Sequence, residues 1–469
     1  MIYDAIIIGS GAGGSAAAYR LALHGASVLM LERGPELPRD GSTLDVDTVV
    51  RRGVFKAKEQ WRDRHGATVS PSEYPNLGGK TKWYGAALLR FARHEFGADE
   101  AHQCPAWPIG YADLAPYYDE AESLLGVRRF ATEPDLSALV DGLRRLDPRW
   151  DKGQLPVAMA ANILDHPDEA RHFDGYASVK GLKGDADVSL LAHIRSLPNF
   201  ELRTGLGAVE LLASDDSRHV AGVRCSDGSV VSGKSIILAA GALHSPRLLS
   251  DYLARTGLDA RLDWAGNVGR NYKCHLNSAL LAVSLRKVGD VLRKTTILTH
   301  PEFAHSTVQN TGWLDGEIMS IAGPRWIPRW SYDLLAARAY GFWITTEDGS
   351  DVDNRICRDG PVIDYDRNRL QPAEQEHRRL LRRLRTQLAL RGYASVVERM
   401  PVGNTAHACG TLAAGNDRMR SVVDGEARVH DFANLYVSDG SVLTRSSRVN
   451  PALTIYAWGL RLGHRLATA

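Results

Sequence analysis

The segment from Tyr3 to Gly34, YDAIIIGSGAGGSAAAYRLALHGASVLMLERG, constrains this chain more than any other. Ala5 to Ile8 is an unbroken apolar run, the pattern of a strand buried on both faces. Gly9, Gly11 and Gly14 follow at GxGxxG spacing, and Ala12 opens an Ala- and Leu-rich helical stretch. Such a turn uses one glycine for its conformation, one for close approach to a pyrophosphate and one for helix-on-strand packing, and the helix start carries a positive partial charge. A second strand, Ala26 to Leu31, delivers Glu32 and Arg33. A carboxylate about twenty residues beyond the turn is placed to accept hydrogen bonds from ribose hydroxyls. The segment predicts a dinucleotide site, and by itself it does not choose between FAD and NAD(P).

The remaining 435 residues must say what the dinucleotide is for. A chain of 469 residues builds about two or three domains. Net charge is +2 with basic residues scattered, which argues against a nucleic-acid partner. No run approaches about eighteen apolar residues, so no membrane span is expected. The sequence starts at its first strand with no leader pattern, so the expected location is cytoplasmic. Cys104, Cys225, Cys274, Cys357 and Cys409 are widely separated and lack metal-ligand spacing, which predicts buried free thiols and no metal site.

Along the chain, the charged stretch Val49 to Arg64 predicts a helix. In NLGGKTKWYGAALLRF, Asn76 to Phe91, the glycines Gly78, Gly79 and Gly85 with Thr81 suggest backbone pressed against a flat ligand, although an ordinary glycine loop reads the same way. Tyr111 to Leu125 has amphipathic helical spacing. Residues 128–190 are broken by prolines and fall to a substrate-side domain or lid by elimination. Asn199 to Ser214 and His219 to Leu249 read as a strand meander ending in a buried strand, Ser235 to Ala239, then Ala240, Gly241 and a helix from Pro246. Between Leu276 and Met400, strand-like runs carry Trp313, Asp315, Glu317, Trp326, Trp330, Asp333, Phe342 and Trp343. A sheet there would present alternate side chains to one cavity. Rings stack on sugar faces and carboxylates hold hydroxyl or ammonium groups, so Asp315, Glu317 and Trp343 are candidate substrate ligands. Core tryptophans and solvated acids account for most of the others.

The glycine turn, LGGKTKWYGA and WPIGYADLAPYYDEAE (Trp107 to Glu122) together resemble the glucose-methanol-choline (GMC) oxidoreductase family, in its shorter bacterial sugar and polyol dehydrogenase branch. The resemblance implies FAD, with the second glycine loop against the flavin. Some relatives attach flavin to a histidine of that loop. Trp83 stands at the corresponding position, between Lys82 and Tyr84, so FAD is expected without a covalent link. The Ala-Ala-Gly-Ala stretch resembles a second nucleotide-side turn of such flavoproteins, which implies Ala240 and Gly241 at the cofactor and Val209 at its adenine end. GNVGRNYKCH, Gly266 to His275, also resembles a family segment, with His275 as a structural hydrogen bonder. In NTAHACGTL and in the stretch from Asn434, the resemblance implies His407 and Asn450 facing the flavin N5. It implies Asp439 and Gly440 at the ribityl and diphosphate chain. Pro451 and Leu453 begin a final helix, Pro451 to Ala467, whose positive end would face the reduced ring. A neutral imidazole can take the hydroxyl proton of an alcohol while the asparagine amide holds the oxygen.

The expected fold is α/β: a Rossmann-like FAD-binding domain of discontinuous segments (1–95, 191–275 and 402–469) plus an α+β substrate domain with an antiparallel sheet (96–190 and 276–401). The expected reaction is FAD-dependent oxidation of a primary alcohol of a sugar or amino sugar to the aldehyde, and onward to the carboxylate if the aldehyde hydrates in the site. Within that branch the resemblance extends to aminoglycoside-biosynthesis dehydrogenases, which points to a 6'-hydroxymethyl group of a pseudodisaccharide. A polyol or secondary sugar alcohol dehydrogenase or oxidase, a hydroxynitrile lyase with structural FAD, and a nicotinamide dehydrogenase remain open. So does the electron acceptor, oxygen or a soluble acceptor.

Overall fold

The strand Ile2–Ile8 pairs in parallel with Val28–Leu31 on one side and Val230–Leu238 on the other. Phe200–Arg203 continues the stack beyond Val28–Leu31, and Leu435–Val437 pairs with the end of Val230–Leu238, both in parallel. This computed structural model describes residues 2–324, 326–357, 360–404 and 406–468, without the side chains of residues 322 and 404; Thr405 and the Asn404 side chain of the NTAHACGTL motif lie outside the described residues. The parallel strands are apolar because both sheet faces are covered, and all of Val28–Leu31 is buried. On one face the helix Ala12–Leu23 packs against the closing helix Ala452–Thr468. A Cβ at Gly459 would stand 2.4 Å from the Gly13 carbonyl oxygen, and one at Gly13 would stand 1.9 Å from that of Ser438. Glycine at these positions is what lets the two ends of the chain share one layer.

An antiparallel meander, Ala208–Ala213 and Val220–Cys225, joins the other half of Val230–Leu238. Phe200–Arg203 does not belong to it, contrary to the sequence reading, because its pairing with Val28–Leu31 places it at the far edge of the parallel stack.

A second sheet runs Ala394–Arg399, Leu276–Val283, Ala339–Thr346, Ser306–Asn310, Thr296–Thr299 and Asp151–Gln154, antiparallel throughout. One face carries Leu280, Val308, Phe342 and Ile344 against leucines of the helices Pro134–Leu146 and Gln371–Leu390. Each fully buried leucine there contributes about 2 kcal/mol relative to exposure. The opposite face presents Asn277, Gln309, Trp343 and Thr345 to a cavity.

Two local expectations fail. Val49 to Arg64 is not one helix: a helical turn ends at Arg51, and Trp61–Asp63 is a strand paired with Thr68–Val69 and Val362–Asp364. Trp61 is buried with the Arg247 guanidinium 5.4 Å from its ring centroid, so long-range pairing overrides local helix preference. The proline-broken region contains a regular helix, Pro134–Leu146, whose Leu136, Leu139, Val140 and Leu143 form its buried stripe. Among the described residues none of the five cysteines is in a disulfide, and all are buried except half-buried Cys357. Among the described residues no helix is long and apolar enough to cross a membrane.

Candidate active site

A cavity of about 870 Å³ lies between the carboxyl ends of the parallel strands and the polar face of the second sheet. That is where ligands bind in open α/β folds. Gly9 has φ +109° and a Cβ there would meet the Ala239 carbonyl oxygen at 2.3 Å, so this glycine makes the turn. Gly11 is different: nothing lies within 4 Å of the position its Cβ would take, and it faces the cavity. It leaves a cradle at the start of Ala12–Leu23, where the first-turn N–H groups have no helical acceptor. Glu32 accepts from the Ser10 amide (3.1 Å), the Ser10 hydroxyl (2.5 Å) and the Gly34 amide (2.9 Å), and burial raises its pKa. Arg33 and Val209 also line the cavity.

Gly79, Thr81 and Gly85 also reach the cavity wall, as do Ala240, Gly241, Asp439, Gly440 and Pro451. Thr81 offers no free donor, since its hydroxyl donates to the Gly78 carbonyl at 2.6 Å and accepts from the Ala186 amide at 3.1 Å. The Asp439 carboxylate is likewise engaged by the Gly241 amide, the Ser245 hydroxyl and the amide of Ser441; burial raises its pKa. It joins the Ala240–Gly241 turn to the segment after Leu435–Val437. Gly85 makes room for the ion pair Lys294–Asp174 (2.8 Å), because a Cβ would stand 2.0 Å from Lys294 Nζ.

Five of the sequence-chosen residues do not line the cavity. Gly14 packs beneath the Gly9 carbonyl, where a Cβ would stand 2.1 Å away, and Leu453 is core. Gly78 has φ +82° and donates its amide to Ser10 Oγ, so it shapes the loop from behind. Asp315 caps the helix Gly316–Ala322 by accepting from the Ile318 amide at 2.8 Å and faces His172. Glu317 pairs with Arg329. Of the three substrate candidates, only Trp343 faces the cavity.

At the second sheet His407 and Asn450 come together, with His407 Nε2 3.4 Å from Asn450 Nδ2. Three contacts fix the protons of this pair. His275 Nε2 lies 3.0 Å and 2.8 Å from the Ser446 and Ser447 carbonyl oxygens, which can only accept, so it carries a hydrogen. In the neutral imidazole Nδ1 is then an acceptor, and it receives Nδ1–H of His407 at 2.8 Å. His407 Nε2 is left with its lone pair directed at Asn450. The Asn450 amide is set to match, for its Oδ1 accepts from Gln309 Nε2 at 2.9 Å, turning Nδ2 toward His407. Burial, with Lys80 and Lys294 adding positive charge, holds the His407 pKa well below the ordinary imidazole value. The site therefore combines a neutral proton acceptor and an amide donor converging on one point.

Gln309, Asn277 and the Lys294–Asp174 pair escaped sequence reading. The first two take their place in the wall from strand register, in which Gln309 stands opposite Trp343 and Asn277 opposite Thr345, and the ion pair comes from loops far apart in the chain. Trp83 donates Nε1–H to Asn76 Oδ1 at 2.8 Å and stacks on Tyr74 at 5.0 Å; its ring offers no nucleophile for a covalent bond to a cofactor.

A nucleotide cradle and a proton acceptor sharing one cavity define a cofactor-dependent oxidoreductase, and comparison with known proteins specifies which. Residues 4–261 match the family described as FAD dependent oxidoreductase, and residues 359–459 match GMC oxidoreductase. The 6'''-hydroxyparomomycin C oxidase of Streptomyces lividus is 30% identical over 100% of this chain and 92% of its own length. Paromamine 6'-oxidase of Streptomyces fradiae is 30% identical over 99% and 91%. The solved structure of pyridoxine 4-oxidase from Mesorbium loti shares the fold, with a TM-score of 0.63 at 20% identity over 99% of both chains. The chain belongs to the GMC family of FAD-dependent oxidoreductases: it binds FAD without a covalent link and oxidises an alcohol.

Proposed function

We propose that this enzyme oxidises the primary hydroxyl of an amino sugar to the aldehyde, with the 6'-hydroxymethyl group of a paromamine-like pseudodisaccharide as the substrate group. The observation that carries the reading is the end-to-end similarity to two Streptomyces oxidases named for paromamine and a hydroxyparomomycin. Trp343 supports it by offering a ring on the cavity wall for a sugar face.

The FAD diphosphate would rest on the Gly9–Gly11 turn and the first-turn amides of Ala12–Leu23, with its ribose at Glu32, adenine beside Val209 and isoalloxazine between the Gly79–Gly85 loop and Pro451. Bound FAD supplies the acceptor for the carbinol hydride. The chain does the rest. Asn450 Nδ2–H donates to the alcohol oxygen and orients it, and His407 Nε2 accepts the hydroxyl proton. The resulting positive charge on His407 is met by His275 Nδ1, whose own Nε2–H is anchored on two carbonyl oxygens. As the proton leaves, the carbinol carbon becomes a carbonyl and releases its hydride. The test is an anaerobic absorbance titration of the holoenzyme with paromamine, methyl glucoside and simple polyols. Bleaching by paromamine at the lowest concentration supports the reading; bleaching by polyols alone defeats the amino-sugar assignment. Following the bleached enzyme after admitting oxygen identifies the acceptor, since slow reoxidation assigns a soluble carrier in its place.

A further inference from the structure

Gln309 lies on the strand Ser306–Asn310, remote in sequence from both members of the pair, and only 3% of it is exposed. Among the described residues its side chain donates from Nε2 to Asn450 Oδ1. An asparagine amide is nearly symmetric in shape and opposite in function at its two ends. If it turned over, Asn450 would present an oxygen to His407 Nε2, placing two acceptors face to face and removing the donor that holds the alcohol. Nothing in the asparagine itself prevents this. Pro451 and the helix Ala452–Thr468 set its backbone but not the sense of its amide.

We infer that Gln309 is a positioning residue that sets the direction of the Asn450 amide, so that the hydrogen bonds run one way from the sheet to the base. Two contacts favour one polarity: the Ser446 and Ser447 carbonyls set the tautomer of neutral His275 and hence of His407, whose Nε2 lone pair selects the Nδ2 end of Asn450, and Gln309 completes the run by donating to Oδ1. This rests on the proposed roles of His407 and Asn450. It extends them to a residue that need not touch the alcohol, and it does not depend on which alcohol is oxidised.

Gln309→Glu tests it, because a carboxylate can only accept. Asn450 Nδ2 then turns toward position 309 and Oδ1 toward His407. Anaerobic stopped-flow reduction of the holoenzyme, with paromamine and separately with benzyl alcohol as probes, reads the limiting rate and the half-saturating concentration. Expected is a loss of about a hundredfold in the limiting rate, the order seen on removing one transition-state donor, with half-saturation moved less than about threefold. The loss shrinks as pH is lowered through the carboxyl range, since the introduced carboxyl regains a donor once protonated, whereas the parent enzyme gains nothing on acidification. In an Asn450→Ala background, Gln309→Glu costs nothing further, because its effect passes through Asn450. Gln309→Leu, which removes the donor without inserting a charge, gives a smaller, pH-independent loss and serves if the glutamate variant fails to fold. Losses that add in the double variant, or a Gln309→Glu rate that does not recover with acid, overturn the inference while leaving the catalytic pair standing. Unchanged reduction in His407→Ala and Asn450→Ala removes the pair and this inference together. Failure of paromamine alone touches only the substrate assignment.

Discussion

The glycine turn of the nucleotide wall and the alcohol wall are assembled over very different distances along the chain. On the nucleotide wall, Ser10 and Glu32 meet at a separation of 22 residues. On the alcohol wall, His275 reaches His407 across 132 residues, Gln309 reaches Asn450 across 141, and His407 and Asn450 are themselves 43 apart. A short-range site is set by spacing in one strand-turn-helix unit, so its glycines carry separable jobs. A long-range site exists only after two sheets have found their register, and its residues are interchangeable in sequence terms until then.

The sharpest break in that comparison is His407→Ala. If His407 is the proton acceptor, as proposed, its loss should cut the rate of flavin reduction about a thousandfold while the bound-flavin spectrum stays intact; rapid single-turnover reduction would overturn that role. Next come the glycines. Gly13→Ala puts a Cβ 1.9 Å from the Ser438 carbonyl, backbone against backbone, and should cost about 3 kcal/mol or more, seen as lost soluble yield and a lowered unfolding midpoint. Gly11→Ala meets no protein atom, so its melting temperature without cofactor should match the parent while FAD affinity falls about tenfold. Equal behaviour of the two variants would mean the turn has no division of labour.

Acid gives a weaker effect with a definite sign. His377 is enclosed between the Ser278 and Thr346 hydroxyls, and burial, with help from Arg399, pushes its pKa down to about 3. Above an ordinary imidazole pKa of about 6.5 neither state holds the extra proton. Between there and about 3 the unfolded chain takes a proton that the folded chain refuses, so stability falls as pH falls, by up to about 1.4 kcal/mol per pH unit. Denaturant midpoints for the parent and His377→Asn should therefore converge on acidification. The smallest effect is expected of Glu317→Ala, which removes ion pairs with the largely exposed Arg329 and Arg51: about 0.5 kcal/mol or less, and no change in half-saturation with any alcohol.

Legibility in the sequence follows the same division. Strand, turn, helix and acid from Ile2 to Glu32 could be read because their spacing is local, and the parallel fold followed. The proposed catalytic pair, His407 and Asn450, was reached through motif resemblance, not periodicity. Asp315 and Glu317 misled because residue type suggested a ligand, while a helix cap and an ion pair had already claimed their charges. Thr81 does reach the cavity wall, but its hydroxyl is engaged by the Gly78 carbonyl and by the Ala186 amide, 105 residues away, a partner that spacing could not reveal. Gln309 and Asn277 gave no signal at all. Which alternate residues of a strand face a cavity is decided by partners that the strand meets only on folding.

The approach of Gly13 to Ser438, with the Ser438 hydroxyl donating to the Gly13 carbonyl at 2.9 Å across 425 residues, has a consequence for biosynthesis. The ribosome delivers the first half of this layer long before its second half exists. Until residues beyond 438 emerge, the helix Ala12–Leu23 has one flank uncovered, and the cradle beside it stands on an unfinished floor. Stable flavin capture is thus a late event in the life of the nascent chain, and flavin fluorescence lost upon binding would mark the completion of synthesis. A polypeptide released early would emerge colourless, its nucleotide motif entire and its grip on the cofactor missing.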